Sequence, residues 1–332
     1  MGTEGHRENP EILQGAMMTS VLVTGASGFI GRRVVDAANN AGYGVTALVR
    51  KPSPDCVPRL IQRDLRLPLE DLPAVDWVIH LAGAYAGAGD EELRRADLKI
   101  ARNVIHFGLK AGVKNWIFAS AAEVYGEVEG IADEEAPTRP VIPYGRIKLA
   151  AEQLFIEQIQ GVSNSRVVIL RIGEVYGSGC RLINELTVRL KRGFCPWPGS
   201  GRVPLSFVHV DDVAQAFLCA VQNSPAGVSV FNVADDTPVT WRAFLCRVAQ
   251  HCKTRPPIFL PEPLVHFYAA CSTMAHRAIR REPILTPQAI RLIITPKMLS
   301  NARLKHDLRF MPRYPDYSSG LKEVLLGLPH HA

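Results

Sequence analysis

Tyr144 and Lys148 stand four positions apart in Pro143-Tyr144-Gly145-Arg146-Ile147-Lys148, at the opening of a predicted helix. That spacing puts both side chains on one helix face. A free phenol has a pKa of about 10 and is a poor acid or base at neutral pH. A neighbouring ammonium stabilises the phenolate and moves the value toward the working range, so the pair is a candidate general acid–base.

A second constellation lies near the start. Val21-Leu22-Val23-Thr24-Gly25-Ala26-Ser27-Gly28-Phe29-Ile30-Gly31 puts three glycines at the exit of an apolar strand and the entry of an amphipathic helix. Such a turn needs a residue tolerant of positive φ, a backbone that lets a pyrophosphate approach, and close helix–strand contact. The helix start offers unpaired N–H groups to phosphate oxygens. Gly25, Ser27, Gly28, Phe29, Ile30 and Gly31 are therefore read as a dinucleotide-binding turn, and a bound nicotinamide ring would favour the Tyr144 phenolate further. The second strand ends Ala47-Leu48-Val49-Arg50-Lys51 without a carboxylate. Arg50, helped by Arg32, points to NADP(H) over NAD, unless both are simply solvated arginines. Asp64 and Leu65, after the third strand, are placed for the adenine edge.

Elements of two periods must position these residues. Short β-branched runs read as strands at Ser20–Thr24, Gly44–Val49, Leu60–Gln62, Trp77–Leu81, Asn115–Ser120 and Arg166–Arg171, with Val230–Val233 as a later addition. Amphipathic stretches between them read as helices at Ile30–Ala41, Glu91–Ala111, Tyr144–Gln160 and Asp211–Gln222, with Gly42, Gly112 and Gly161 as C-terminal stops. The fold class is α/β: a Rossmann-type doubly wound parallel sheet with a smaller, mostly C-terminal substrate lobe. Residues 1–18 read as a flexible leader, with Met17-Met18 a candidate translation start. Residues 19–176 read as the dinucleotide-binding domain, to which 207–234 return. The Gly- and Pro-rich segments 177–206 and 235–332 read as the substrate lobe, without sheet.

The bulk numbers suit this reading. The chain has 332 residues, 47% apolar and 21% charged, which is globular composition. Its seven cysteines are odd in number and show no C-x-x-C spacing, which argues for free thiols and no zinc site. No signal-type segment and no run of eighteen apolar residues occurs, so the expectation is a cytoplasmic protein with no membrane span. Net charge is +6, divided as −3 over residues 1–240 and +9 from Trp241 onward. A basic lobe suits an anionic substrate, an acidic partner or a membrane surface, although a solvated face is the commoner meaning. Nothing resembles the aromatic-and-basic pattern of nucleic-acid binding. His80 and His209 read as hydrogen-bonded structural histidines, and Asp211-Asp212 as a helix N-cap pair.

Residues 19 to about 325 resemble the extended short-chain dehydrogenase/reductase family, also called the NAD-dependent epimerase/dehydratase family. The pieces are Thr24-Gly25-x-x-Gly28-x-x-Gly31, Asp64-Leu65, His80-Leu81-Ala82-Gly83, Val124-Tyr125-Gly126, Tyr144-x-x-x-Lys148, Arg171-Ile-Gly-Glu-Val-Tyr-Gly177 and Phe207-Val-His-Val-Asp211-Asp212-Val. The resemblance implies that Tyr144 is the acid/base, that Lys148 holds ribose hydroxyls, and that Leu81, Ala82 and Gly83 line the nicotinamide side of the groove. It also implies a homodimer through Glu91–Ala111 and Tyr144–Gln160. Three positions depart from the family pattern. A catalytic Ser or Thr is usual at Ala121, with Ser120 one step earlier. Adjacent strand residues face opposite sides, so Ser120 substitutes only if the strand end is twisted or bulged; otherwise a water or a substrate group completes the relay. A common asparagine falls on Asp97, and a phosphate-binding arginine of nucleotide-sugar enzymes falls on Leu205.

Three functions are open at this point. The first is an NADP(H)-dependent oxidoreductase acting on the secondary alcohol or ketone of a small molecule. Arg50, Leu205 and the proline-rich lobe favour it, in resemblance to dihydroflavonol reductase and 3β-hydroxysteroid dehydrogenase-like branches. The second is a nucleotide-sugar epimerase or dehydratase with tightly held NAD. The third is a dinucleotide-binding sensor without turnover, which Ala121 alone supports.

Overall fold

The computed structural model describes residues 18–51, 59–83, 91–267, 269 and 287–326; all of the leader but Met18, with Cys56 and Cys271, lies outside the described residues. Its main sheet has seven parallel strands: β1 (Ser20–Thr24), β2 (Gly44–Val49), β3 (Leu60–Gln62), β4 (Trp77–His80), β5 (Asn115–Ala121), β6 (Arg166–Ile172) and β7 (Gly227–Val233). They lie in the order β7-β6-β5-β4-β1-β2-β3. Alternation along each strand sends successive side chains to opposite faces. Val21, Val23, Ile79, Ile117 and Val168 pack under α1 (Phe29–Asn40) and, further along, α5 (Val210–Asn223). Leu22, Val78, Trp116, Phe118 and Val167 pack under α2 (Glu91–Lys110) and α3 (Pro143–Ile159). Apolar cover on both sides explains why the strands read as continuous apolar runs.

The winding reverses between β1 and β4, since β1 leads outward to β2 and β3 while β4 leads the other way through β5 and β6. A crevice opens at the carboxyl ends of the strands at such a reversal. Thr24 pairs with His80 there, which brings the glycine turn against Leu81–Gly83.

Beyond β6 the chain builds a second apolar centre. Tyr176, Trp197, Phe207, Trp241, Phe244 and Leu321 are buried together. They come from α4 (Arg181–Lys191) and α6 (Trp241–His251), their neighbouring short strands, and the closing helix Tyr317–Leu326. The sequence reading gave this lobe no sheet, yet it carries two-stranded pairs such as Pro196–Pro198 with Ile258–Leu260. Prolines at the ends of such edge pairs have no ladder bond to lose. One other boundary moves: β7 starts at Gly227 rather than Val230. Gly161 directly follows Gln160, the C-cap of α3, as expected of a stop, and the left-handed residue of that turn is Asn164, at φ 57°.

Candidate active site

The turn at Gly25 has φ 70°. A Cβ at this position would stand 2.7 Å from the Ala82 main-chain nitrogen. One on Gly31 would collide with the Gly25 carbonyl oxygen, so both glycines are required by space. Helix α1 starts at the N-cap Gly28 with no side-chain cap and no acidic residue in its first turn. Its first N–H groups are therefore available to an anion. A pyrophosphate fits this cradle, and the main chain from Gly25 to Gly31 would hold it.

Behind the turn, Ala82 N–H donates to Thr24 Oγ1 at 3.3 Å, and Thr24 Oγ1 lies 2.8 Å from His80 Nδ1. Burial pushes the His80 imidazole down to about 3, so the ring is neutral and can accept from the threonine. Its role is structural: it pins the two strand ends that flank the crevice.

Helix α3 begins with proline at its first turn, which fixes the start of the turn that carries Tyr144. One turn later Lys148 is buried, and its Nζ donates to the Ala119 carbonyl oxygen at 2.9 Å. The same ammonium lies 5.8 Å from the Tyr144 ring centroid and would stand 3.6 Å from a Cβ on Gly83. Asp97 Oδ2 would be 3.1 Å from that same Cβ. Tyr144, Lys148, Asp97 and Gly83 thus converge beside the glycine turn.

The electrostatics differ from the expectation at one point. Burial, then the carboxylates Glu123, Asp97 and Glu174, push the Tyr144 phenol up from its ordinary value. Burial lowers Lys148, while Asp97, Glu152 and Glu123 favour its charged form. In the protein alone burial, reinforced by these carboxylates, holds the tyrosine as the neutral phenol.

Ser120 is committed elsewhere. Its hydroxyl donates to Glu152 Oε1. Glu152 in turn accepts from Arg171 Nε at 3.1 Å and Nη2 at 2.8 Å. The β5–β6 register runs unbroken through Ala121↔Ile172, so no bulge turns Ser120 round. Eight positions of α3 separate Tyr144 from Glu152, about 12 Å along the axis.

At the end of β2, Arg50 is exposed, with its carbonyl accepting from Gln62 Nε2 at 3.2 Å. The Asp64 carboxylate takes a forked bond from Arg66, at 2.6–3.1 Å, which holds it down at about 2. Leu65 presents its carbonyl to Asn103 Nδ2 at 2.9 Å. Ser27 gives its carbonyl to Arg32 Nε at 3.1 Å; Phe29 packs toward the second lobe, and Ile30 and Leu81 toward the main core.

Three residues that the sequence reading passed over also face this site. Lys297 Nζ donates to Glu123 Oε1 at 2.7 Å, and both side chains are largely buried. Glu174 is raised by burial and by Glu123, and lowered by Lys297. The signal for Glu123 is its place directly before Val124-Tyr125-Gly126, and that for Glu174 its place inside Arg171-Ile-Gly-Glu-Val-Tyr-Gly177; Lys297 carries none. The Asp211-Asp212 pair is not the cap of α5. His209 takes that position, its Nδ1 accepting from Asp211 N at 3.3 Å. Asp212 instead accepts from the main-chain nitrogens of Arg313 and Tyr314, at 2.7 and 2.9 Å. Among the described residues Cys180, Cys195, Cys219, Cys246 and Cys252 are free, and no His, Cys, Asp or Glu cluster could hold a metal. No described helix is long and apolar enough to cross a membrane.

The family model described as "NAD dependent epimerase/dehydratase family" matches residues 21–234, from β1 to the end of β7. The chain belongs to the NAD-dependent epimerase/dehydratase family. Among curated members, it is 28% identical over 257 residues to N-acetyl-alpha-D-glucosaminyl-diphospho-ditrans,octacis-undecaprenol 4-epimerase of Escherichia coli O157:H7, covering 75% of this chain and 77% of that one. It is 26% identical over 320 residues to 3-diazoavenalumate denitrifying reductase of a Streptomyces species, covering 91% and 98%. Among solved structures, MoeE5 in complex with UDP-glucuronic acid and NAD superposes with a TM-score of 0.72 at 27% identity, over 92% of this chain and 96% of that one. Membership makes this chain an enzyme-family protein with a nicotinamide dinucleotide fold, and the glycine cradle agrees with it.

Proposed function

We propose that the chain is an epimerase or dehydratase of a nucleotide-linked sugar that keeps NAD bound between turnovers. The observation that carries this is the convergence of Tyr144 and Lys148 on Gly83, beside a turn shaped for a pyrophosphate. The likeness to an epimerase of a diphosphate-linked sugar and to a UDP-sugar complex supports it. Bound NAD supplies the hydride acceptor for a ring carbinol and the donor for its return. Tyr144 takes the hydroxyl proton in one direction and gives it back in the other. Lys148, anchored on the Ala119 carbonyl, holds the ribose hydroxyls and keeps a positive charge beside the phenol as it ionises. Ser120 has no part in this relay; a water or a substrate hydroxyl serves instead.

Native mass spectrometry of the purified protein, with the released nucleotide identified, is the test. Stoichiometric NAD is expected. An empty protein that takes up NADPH in preference to NADH would overturn the recycling reading. It would favour an exchanging reductase of a free secondary alcohol or ketone, of the dihydroflavonol reductase or 3β-hydroxysteroid dehydrogenase type. That second reading has its own support in the exposed Arg50 at the end of β2 and in the full-length likeness to a reductase. In either case the proposed setting is the cytoplasm, and α2 and α3 are the proposed homodimer faces.

A further inference from the structure

Leu182, Glu185, Leu186, Arg189 and Arg192 recur along α4 at the steps of three and four residues that share one side of a helix. All five line a cavity of about 560 Å³ in the second lobe. The rest of its wall comes from the strand Pro196–Pro198, from Leu260 and Val265, and from Ile293 on the helix Pro287–Ile294. That volume falls within the range of small-molecule sites, about 300–1,000 Å³. Phe194 also borders the cavity and is 65% exposed, so an apolar edge faces solvent beside it.

Charged groups on this wall are few. Two guanidinium groups, Arg189 and Arg192, stand against one carboxylate, Glu185, so the lining carries net positive charge. Glu185 accepts from Arg181 Nε at 2.6 Å. Neither Arg189 nor Arg192 makes a hydrogen bond or ion pair among the described residues. The Cys195 thiol, another lining group, is raised by burial and lowered by Arg189, so that charge is felt at the wall. No described lining residue has an amide or hydroxyl side chain, and Pro196 and Pro198 bring no N–H. A nucleoside base, read through its donors and acceptors, finds little to pair with here. A hydrocarbon body finds matching walls, and an anionic head finds guanidinium donors.

We propose that this cavity binds an amphipathic anion of the long-chain carboxylate class, its chain against Leu182, Leu186 and Trp197 and its head on Arg189 and Arg192. A carboxylate offers two coplanar oxygens, which a guanidinium fork can hold by parallel bonds. The +9 balance of the chain from Trp241 onward draws such an anion toward this lobe. The site needs neither NAD nor Tyr144, so it stands apart from the nucleotide-sugar reading.

Titration calorimetry of the purified full-length protein with dodecanoate and dodecyltrimethylammonium, each below its micellar concentration, tests this. The two share a chain and differ in the sign of the head. Wild-type protein is expected to bind dodecanoate in a single site, at least about tenfold more tightly. Arg189→Gln combined with Arg192→Gln should bring the two within about threefold by weakening dodecanoate. Arg309→Gln combined with Arg313→Gln takes the same charge from the groove between α1 and α5 and should leave the wild-type ratio. Melting temperatures verify the fold of both double variants. No binding of dodecanoate, equal wild-type affinities, or a ratio that both double variants lower alike would overturn the assignment. Displacement of dodecanoate by uridine monophosphate would overturn it too, by giving the cavity to a nucleoside.

Discussion

Lys148 Nζ donates to the main-chain carbonyl of Ala119 at 2.9 Å, so β5 itself fixes where the ammonium sits. The charge is thereby held beside the Tyr144 ring whether or not a substrate is present. In the protein alone Tyr144 is held as the neutral phenol by burial and three carboxylates, and the positive nicotinamide ring of bound NAD together with Lys148 would favour the phenolate that takes the substrate's hydroxyl proton. Tyr144→Phe is therefore expected to cut turnover by roughly 10²–10⁴-fold, the span of general acid–base catalysis. Its melting temperature and nucleotide content should match wild type. Turnover above about a tenth of wild type would assign the proton transfer to another group.

Ser120→Ala separates a relay role from a structural one. The hydroxyl donates to a buried carboxylate, and losing a hydrogen bond to a charged group costs about 1.5–3 kcal/mol. Turnover is expected to stay within about threefold, while urea denaturation registers the loss of stability. A variant of full stability and hundredfold lower turnover would reverse this assignment.

Arg171 and Glu152 form a buried, forked pair whose second carboxylate oxygen lies 2.8 Å from Nη2. Arg171 Nη1 also donates to Tyr125 Oη at 3.0 Å. Removing one partner strands the other charge away from water, at about 3–5 kcal/mol. Arg171→Met and Glu152→Leu should each lose stability of that order. The double variant should lose less than the sum, which a double-mutant cycle measures directly. Additive losses would mean that the two charges are not coupled.

How far the sequence reached follows from what each feature depends on. The glycine turn and the Tyr144–Lys148 helix depend on neighbours within a few residues, and short β-branched apolar runs set β1 to β3 at their observed bounds. The Glu123–Lys297 pair was out of reach. Its partners stand 174 positions apart, and only the path of the chain through the second lobe brings them together. Ser120 was half legible: strand alternation warned that it faces the wrong way, but its acceptor Glu152 bears no motif. The phenol's direction was misjudged because Lys148 was visible in the sequence, while the burial of the ring and the nearness of Glu123 and Glu174 were not.

Asp235 predicts a pH effect far from the glycine turn. It is buried, and desolvation together with Asp212 and Asp316 pushes its carboxyl up to about 8, against Tyr176 and the His209 main chain, whose hydrogen bonds lower it. The folded state therefore binds this proton more tightly than the unfolded state does. Stability from this group is fully present below the ordinary aspartate value and is lost as pH rises toward 8. Asp235→Asn should be more stable than wild type at pH 7.5, and the gain should shrink as pH falls toward 4. Melting curves across that range measure it, and a gain independent of pH would exclude titration of Asp235 as the cause.

The Glu123–Lys297 pair also orders events during synthesis. A ribosome has delivered the glycine turn, Tyr144, Lys148 and Glu174 well before it delivers Lys297. Until then Glu123 lacks the ammonium that pairs with it at 2.7 Å, and the carboxylates beside the phenol face Lys148 alone. The nascent chain is thus less suited to an anionic ligand beside the phenol until Lys297 brings the balance.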